Sequence, residues 1–279
     1  MTGEDRITSE FLALGALLAR DGRFVLLSDL LGAGGALFRT AWHLREGEGG
    51  ARRWSVRSAD VCPGDPLGRA AEAYGYRLVR GEGGGMEGAA LECVEPMQGL
   101  GHRVRRFAES IRAGLDLTRP GEHREGAVFA VGTAAYRTLA VDLAAPPGSF
   151  LPETPEEAAR LSPEVERLGL PPDSWPALSL GLSLRRAFVV FARARRDLAV
   201  WIDRTSNFLD SSTAVPHFLK ERELLLRGAG RLLPPGEELL SLAESVKSDS
   251  VLRGAGRDVR AAAASHERGI AALRSVFGR

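Results

Sequence analysis

Residues Arg185 to Arg204 read RRAFVVFARARRDLAVWIDR, six arginines against Asp197 and Asp203. The segment lies inside a longer run, Trp175 to about Phe208, whose pattern predicts one long α-helix. At 3.6 residues per turn, Arg186, Arg193 and Arg204 fall within a narrow angle, because their separations of 7 and 18 residues are close to whole turns. Arg185 and Arg196 form a neighbouring row. Downstream, a second helix runs from Pro216, tolerated in a first turn, to Leu233, where Pro234-Pro235-Gly236 stops it. A third covers Val251 to Phe277, with Leu252, Ala255, Val259, Ala262, His266, Ile270, Leu273 and Phe277 spaced three or four apart on one face. The C-terminal half therefore reads as helical.

Upstream the period changes. After a helix from Thr8 to Arg20, Phe38, Thr40, Trp42 and Leu44 alternate with Arg39, Ala41, His43 and Arg45. Across the turn Glu46–Gly50, Trp54 and Val56 alternate with Arg53 and Arg57, which predicts a β-hairpin apolar on one face and basic on the other. A short helix around Pro66 to Ala73, a second hairpin over residues 74–96 and a helix from about Gly101 to Gly114 follow. "AVFAVGTAAYRTLAVDLAAPP" predicts a third hairpin, turning near Gly132 to Ala135. The expected class is α+β: antiparallel, local β-hairpins with helices in the N-terminal half, and a helical C-terminal half. The expected division is residues 1–146 for the α+β region and 147–279 for the helical region, packed together as one unit. Pro- and Glu-rich residues 149–174 form a connector or covering segment.

The chain has 279 residues, 44% of them hydrophobic, enough to build a substantial core. Its net charge is only +1, yet of 37 basic residues only Lys220 and Lys247 are lysine. Arginine offers a planar fork that grips phosphate bidentately, which lysine cannot do. Cys62 and Cys93, the only cysteines, suit a reducing compartment. The polar start MTGEDRITSE is no signal peptide, and no apolar run reaches the about 20 residues of a membrane helix. The expected location is cytoplasmic, with no membrane partner.

Chemistry-bearing motifs are sparse. Gly83, Gly85 and Gly88 fit G-x-G-x-x-G, but a strand-like run follows where a dinucleotide fold needs a helix, so a hairpin loop is the better reading. No Walker loop, HExxH or GxSxG occurs, and the five histidines are scattered. His266, on the apolar face of the last helix, reads as a satisfied core or interface histidine. No catalytic residue, metal site or cofactor is expected, and the chain reads as a non-enzyme. LRGAGR occurs twice, at Leu226–Arg231 and Leu252–Arg257, on two different helices. Two glycines inside a helix cost about 1 kcal/mol each, most simply repaid where another backbone packs closely, with the arginines snorkelling outward.

The remaining signal is segregated charge. Arg185, Arg186, Arg193, Arg196 and Arg204 are the first candidates for phosphate contact, and Arg103, Arg105 and Arg106 beside His102 form a second patch. Arg39, Arg45, Arg53 and Arg57 on the first hairpin are weaker candidates. The last helix carries Arg253, Arg257, Arg260, Arg268 and Arg274 mostly opposite its apolar face, while 221–250 and 150–167 are acidic.

Several landmarks between residues 40 and 232, in order, resemble the PprA family, the pleiotropic DNA-repair-promoting proteins of radiation-resistant deinococci. WHLREGEGGARRWSV resembles that family's hairpin, EPMQGL its Pro-Met-Gln turn, and FAVGTAAYRTLAVDLAAP its strand pair. RRAFVVFARARRDL is similar to its basic helix after a tryptophan, here Trp175, and PHFLKERELLLRGAG to the start of its C-terminal helices. The near absence of lysine departs from the family. The resemblance implies a non-enzymatic protein of the DNA damage response that binds double-stranded DNA, favours ends, bridges them, self-associates as a dimer or filament and stimulates ligation. DNA ligase or topoisomerase would then be further partners. The alternative is a scaffold or adaptor working through the C-terminal helices. A cryptic hydrolase or nucleotide-binding enzyme ranks third.

Overall fold

A computed structural model describes residues 3–38, 41–46, 52–57, 65–81, 84, 86–94, 107–112, 114–115, 127–131, 133–144, 150–152, 175–206, 211–235 and 239–277. In chain order the elements are α1 (Gly3–Arg20), α2 (Leu27–Ala33), β1 (Ala41–Glu46), β2 (Arg52–Arg57), α3 (Pro66–Ala73), β3 (Tyr76–Val79) and β4 (Ala90–Cys93). Then come β5 (Ala127–Val131), α4 (Thr133–Asp142), β6 (Phe150–Pro152), α5 (Trp175–Ser206), α6 (Val215–Leu232), α7 (Leu239–Ser245) and α8 (Asp249–Phe277). A helical segment also spans 107–112. The chain is mixed α+β with a helical C-terminal half.

The helical half is a bundle in which α6 lies against both α5 and α8, α4 packs on α8, and α7 packs on α5. Its core takes Tyr136, Leu139, Ala140 and Leu143 from the α4 region, Phe188 and Phe191 from α5, Leu224 and Leu225 from α6, and Val259 and Ala262 from α8. A second buried cluster joins Leu37, Phe38, Ile111 and Leu115 to Leu198, Trp201 and Ile202 of α5 and to Ile270 and Leu273 of α8. A third joins α1, α2, α3 and β3 through Phe11, Leu14, Leu30, Leu67, Ala70 and Tyr76.

The two LRGAGR copies show what their glycines do. Gly228 takes the ring of Phe188 from α5, and Gly254 on α8 takes the aliphatic stem of Arg231 from α6. Arg227 and Arg231, the arginines of the first copy, do more than snorkel. Arg231 Nε donates to Asp258 Oδ2 at 2.5 Å and Arg227 Nε to Oδ1 at 2.8 Å, with the carboxylate itself buried. The repeat is a helix–helix joint.

Of the three expected hairpins, the first two form. β1 and β2 pair antiparallel with Trp42 opposite Val56 and Leu44 opposite Trp54, so these apolar residues share one face, while Arg45 stands opposite Arg53. β3 and β4 pair antiparallel, Tyr76 opposite Cys93, and the glycine-rich stretch between them is a hairpin connection, with Gly84 and Gly88 in positive-φ conformations. Gly83 and Gly85 lie outside the described residues.

The third hairpin is overturned. Residues 127–131 form β5, but 133–142 are the helix α4, and β5 pairs with β1, more than 80 residues earlier in the chain. The expectation that all pairing is local and antiparallel fails as well. β6 adds to β2 in parallel, Arg52 opposite Phe150, giving a four-stranded sheet in the order β5-β1-β2-β6. Period-two alternation cannot reveal a partner so distant in sequence. The competition for α4 is settled by packing: Tyr136, Leu139, Ala140 and Leu143 recur at helical spacing and are buried in the bundle. The helices α2 and α7, two turns each, were not anticipated.

Candidate nucleic-acid interface

α5 is about 48 Å long, and its inward face is set by Leu184, Ala187, Phe188, Phe191, Leu198 and Ile202, all buried. The opposite face carries Arg185, Arg186, Arg193, Arg196 and Arg204, every one exposed. At about 100° per residue these five fall within an arc of about 100°, with Val189 and Val200, 44% and 36% exposed, between them. From Arg185 to Arg204 the stripe runs about 28 Å, the length of about eight base pairs.

At least two of the five are committed to carboxylates. Arg196 donates from Nε and an Nη to Asp197 Oδ1 at 3.1 and 3.0 Å, and Arg204 donates to Asp29 Oδ1 on α2 at 2.9 Å. Arg185 and Arg193 make no ion pair or side-chain hydrogen bond with a described residue. Such exposed pairs are worth about 0–1 kcal/mol, so a phosphate can compete for Arg196 and Arg204.

The sixth arginine of the segment is not on that face. Arg195 is fully buried, its Nε 3.4 Å from Oε1 of the equally buried Glu221 on α6. Tyr136 on α4 donates its hydroxyl to the same Oε1, and His266 Nδ1 on α8 lies 3.1 Å from Oε2. A carboxylate only accepts, so Nδ1 carries the proton of this bond. Four helices thus meet at one carboxylate in the bundle interior. His266 is the core histidine expected. Arg195, Glu221 and Tyr136 were not singled out, although each sits at helical spacing among apolar residues.

The other candidates are placed as follows. Arg103, Arg105, Arg106 and Arg39 lie outside the described residues. Arg45, Arg53 and Arg57 are on the strands β1 and β2, placed by backbone register alone. On α8 the arginines Arg253, Arg257, Arg260, Arg268 and Arg274 are all exposed, as expected for the helix's polar face, and Arg253 pairs with Asp249 at 3.1 Å. Among the described residues no group of three or more His, Cys, Asp or Glu side chains is placed to hold a metal ion, and no helix is long and apolar enough to cross a membrane.

No protein-family model, curated protein or solved structure matches the chain.

Proposed function

We propose that the chain is a non-enzymatic, sequence-independent double-stranded DNA-binding protein that takes phosphates on the outer face of α5. The observation that carries this reading is the gathering of Arg185, Arg186, Arg193, Arg196 and Arg204 on one solvent-facing stripe of a rigid helix, in a chain whose overall charge is only +1. Planar guanidinium forks on a straight rod suit a run of phosphates and carry no means of reading base order. The order of sequence landmarks that resembles the PprA family extends the proposal to DNA repair: end binding and bridging, self-association on DNA, stimulation of ligation and a nucleoid location, with DNA ligase or topoisomerase as partners.

The test is a gel shift with linear duplex across a salt series. Five phosphate contacts predict a slope of log K against log salt near −4.5. Reversing Arg185 and Arg193 to Glu should flatten that slope by about 1.8, to roughly −2.7, and weaken the complex, while the melting temperature holds. An unchanged slope would remove α5 as the contact.

The second reading, an adaptor working through the C-terminal helices, is favoured by Leu219 and Leu226, which stand 43% and 38% exposed on α6. It predicts that Leu219→Ser/Leu226→Ser alters self-association in analytical ultracentrifugation with the DNA slope unchanged.

A further inference from the structure

A cavity of about 520 Å³ opens where the loop after α1 meets the C-terminal end of α5, within the size range of small-molecule sites. We infer that it binds a single nucleobase with its 5′-phosphate, taken either from a free mononucleotide or from an unpaired nucleotide of a strand.

Aromatic rings face it from three separate elements, Phe24 on the loop, Tyr74 after α3 and Phe107 on the 107–112 helix, with the fully buried Trp201 of α5 behind them. Phe107 and Trp201 stand edge to face at 6.5 Å, and Tyr74 meets Phe107 the same way. Phe24 is the exception. It lines the cavity yet is 91% exposed, the most exposed large apolar side chain described. A phenyl ring held in water beside an aromatic-walled hollow gains cover only when a second flat, apolar surface is laid against it.

Polar groups then narrow the ligand. Asp29 and Arg204 line the cavity as a joined pair, an acceptor and a donor side by side, which matches the mixed donor and acceptor edge of a base. Burial pushes the Asp29 carboxyl and the Tyr74 phenol up. Arg23, also on the wall, makes no side-chain hydrogen bond or ion pair with a described residue. Trp201 is fully buried, and its ring N–H has no acceptor among the described residues. Aromatic walls with a carboxylate would also suit an ammonium ligand, but among the described lining residues Arg23 and Arg204 outnumber Asp29 and leave one positive charge in excess. The excess selects a planar aromatic anion, and a base with its phosphate supplies both the flat ring and the charge.

The free-mononucleotide source stands without the duplex proposal. The strand source rests on that proposal, because Arg204 belongs both to this wall and to the α5 stripe. Calorimetric titration of the full chain with each deoxynucleoside 5′-monophosphate, each matching nucleoside and inorganic phosphate separates the contributions. Titration with an oligothymidylate of about eight residues adds the strand source.

Phe24→Ala should weaken mononucleotide or oligothymidylate binding at least about fivefold, since stacking of one base on one aromatic carries that much. Arg23→Gln should lower nucleotide affinity to that of the nucleoside and leave the nucleoside unchanged. Binding of mononucleotides that Phe24→Ala weakens supports the free source. Binding of the oligothymidylate alone, weakened by the same change, supports the strand source. Heat from neither ligand, or binding that Phe24→Ala leaves intact, overturns the inference. The duplex gel shift of Phe24→Ala, expected to match the parent, keeps failure here distinct from failure of the α5 reading.

Discussion

Removing both charges from the buried junction of four helices should cost well below the sum of the two single removals. Arg195 and Glu221 are each fully shielded from solvent, 3.4 Å apart. Arg195→Met leaves the carboxylate of Glu221 with the Tyr136 hydroxyl and His266 Nδ1 as its partners among the described contacts. Glu221→Leu leaves a guanidinium without its counter-charge. Breaking a buried pair from either side costs about 3–5 kcal/mol, a large part of the roughly 5–15 kcal/mol by which a domain is stable. The double variant Arg195→Met/Glu221→Leu removes both ions and takes the Glu221 acceptor away from the Tyr136 hydroxyl and His266 Nδ1, about 1–3 kcal/mol each. At the middle of these ranges its cost falls about 4 kcal/mol below the sum of the singles. Urea unfolding of the parent, both singles and the double measures this directly, provided the m-values agree. Losses that add to within about 0.5 kcal/mol would mean that the two side chains do not share a buried environment, and the packing of α4, α5, α6 and α8 described here would be wrong.

Gly32→Ala sets two effects of opposite sign against each other. Alanine in a helix usually gains about 1 kcal/mol over glycine, but a Cβ on α2 would enter the indole of Trp201, and such overpacking costs about 1–3 kcal/mol. A fall in melting temperature is expected, and a rise would show that α2 does not rest on α5. Asp29→Asn tests the cavity wall. Burial raises its carboxyl, only partly offset by Arg204, so the native state holds that proton more tightly than the unfolded chain does. The group's contribution is then complete below the unfolded value near ~3.9 and is lost as pH rises through the folded value. The variant should gain stability relative to its parent on going from about pH 4 to neutrality, read from urea midpoints, and a constant difference would place Asp29 in water.

The long helices were legible because their apolar period is unbroken and their ends are punctuated, as at Pro234-Pro235-Gly236 after α6. The outward arginines of α5 followed from the same period. What that period also encodes is Arg195, whose neighbours at three, four and seven residues on either side are Phe188, Phe191, Ala192, Leu198, Ala199 and Ile202. A charged residue ringed so completely by apolar ones belongs inside. Glu221 has mostly apolar surroundings in Ala214, Phe218, Leu224 and Leu225, broken by His217, and His266 is flanked by Val259, Ala262, Ala263, Ile270 and Leu273. Pattern alone could thus nominate the buried members, but not that they meet, because α4, α5, α6 and α8 are separated by loops of unknown course. The β5–β1 and β6–β2 pairings were illegible for a related reason: long-range pairing leaves no local period. The cavity was invisible too, since its walls come from positions 22 to 205.

The buried junction and the surface stripe constrain one another. Arg195 lies between Arg193 and Arg196, so the rotation of α5 about its own axis decides which guanidinium meets Glu221 and which meet solvent. Turning the helix by one residue would bring Ala194 or Arg196 toward the carboxylate and swing Arg195 away from it. The first leaves Glu221 buried without a counter-charge, and the second drags an exposed arginine and its Asp197 partner into the core. Either costs several kcal/mol, more than the hydrophobic face alone would charge for a rotation that still buries Phe188, Phe191 and Leu198 in part. One interior ion pair therefore fixes the azimuth at which the five outer arginines are presented, and a face held at a single azimuth is what contact with successive phosphates along a rigid duplex requires.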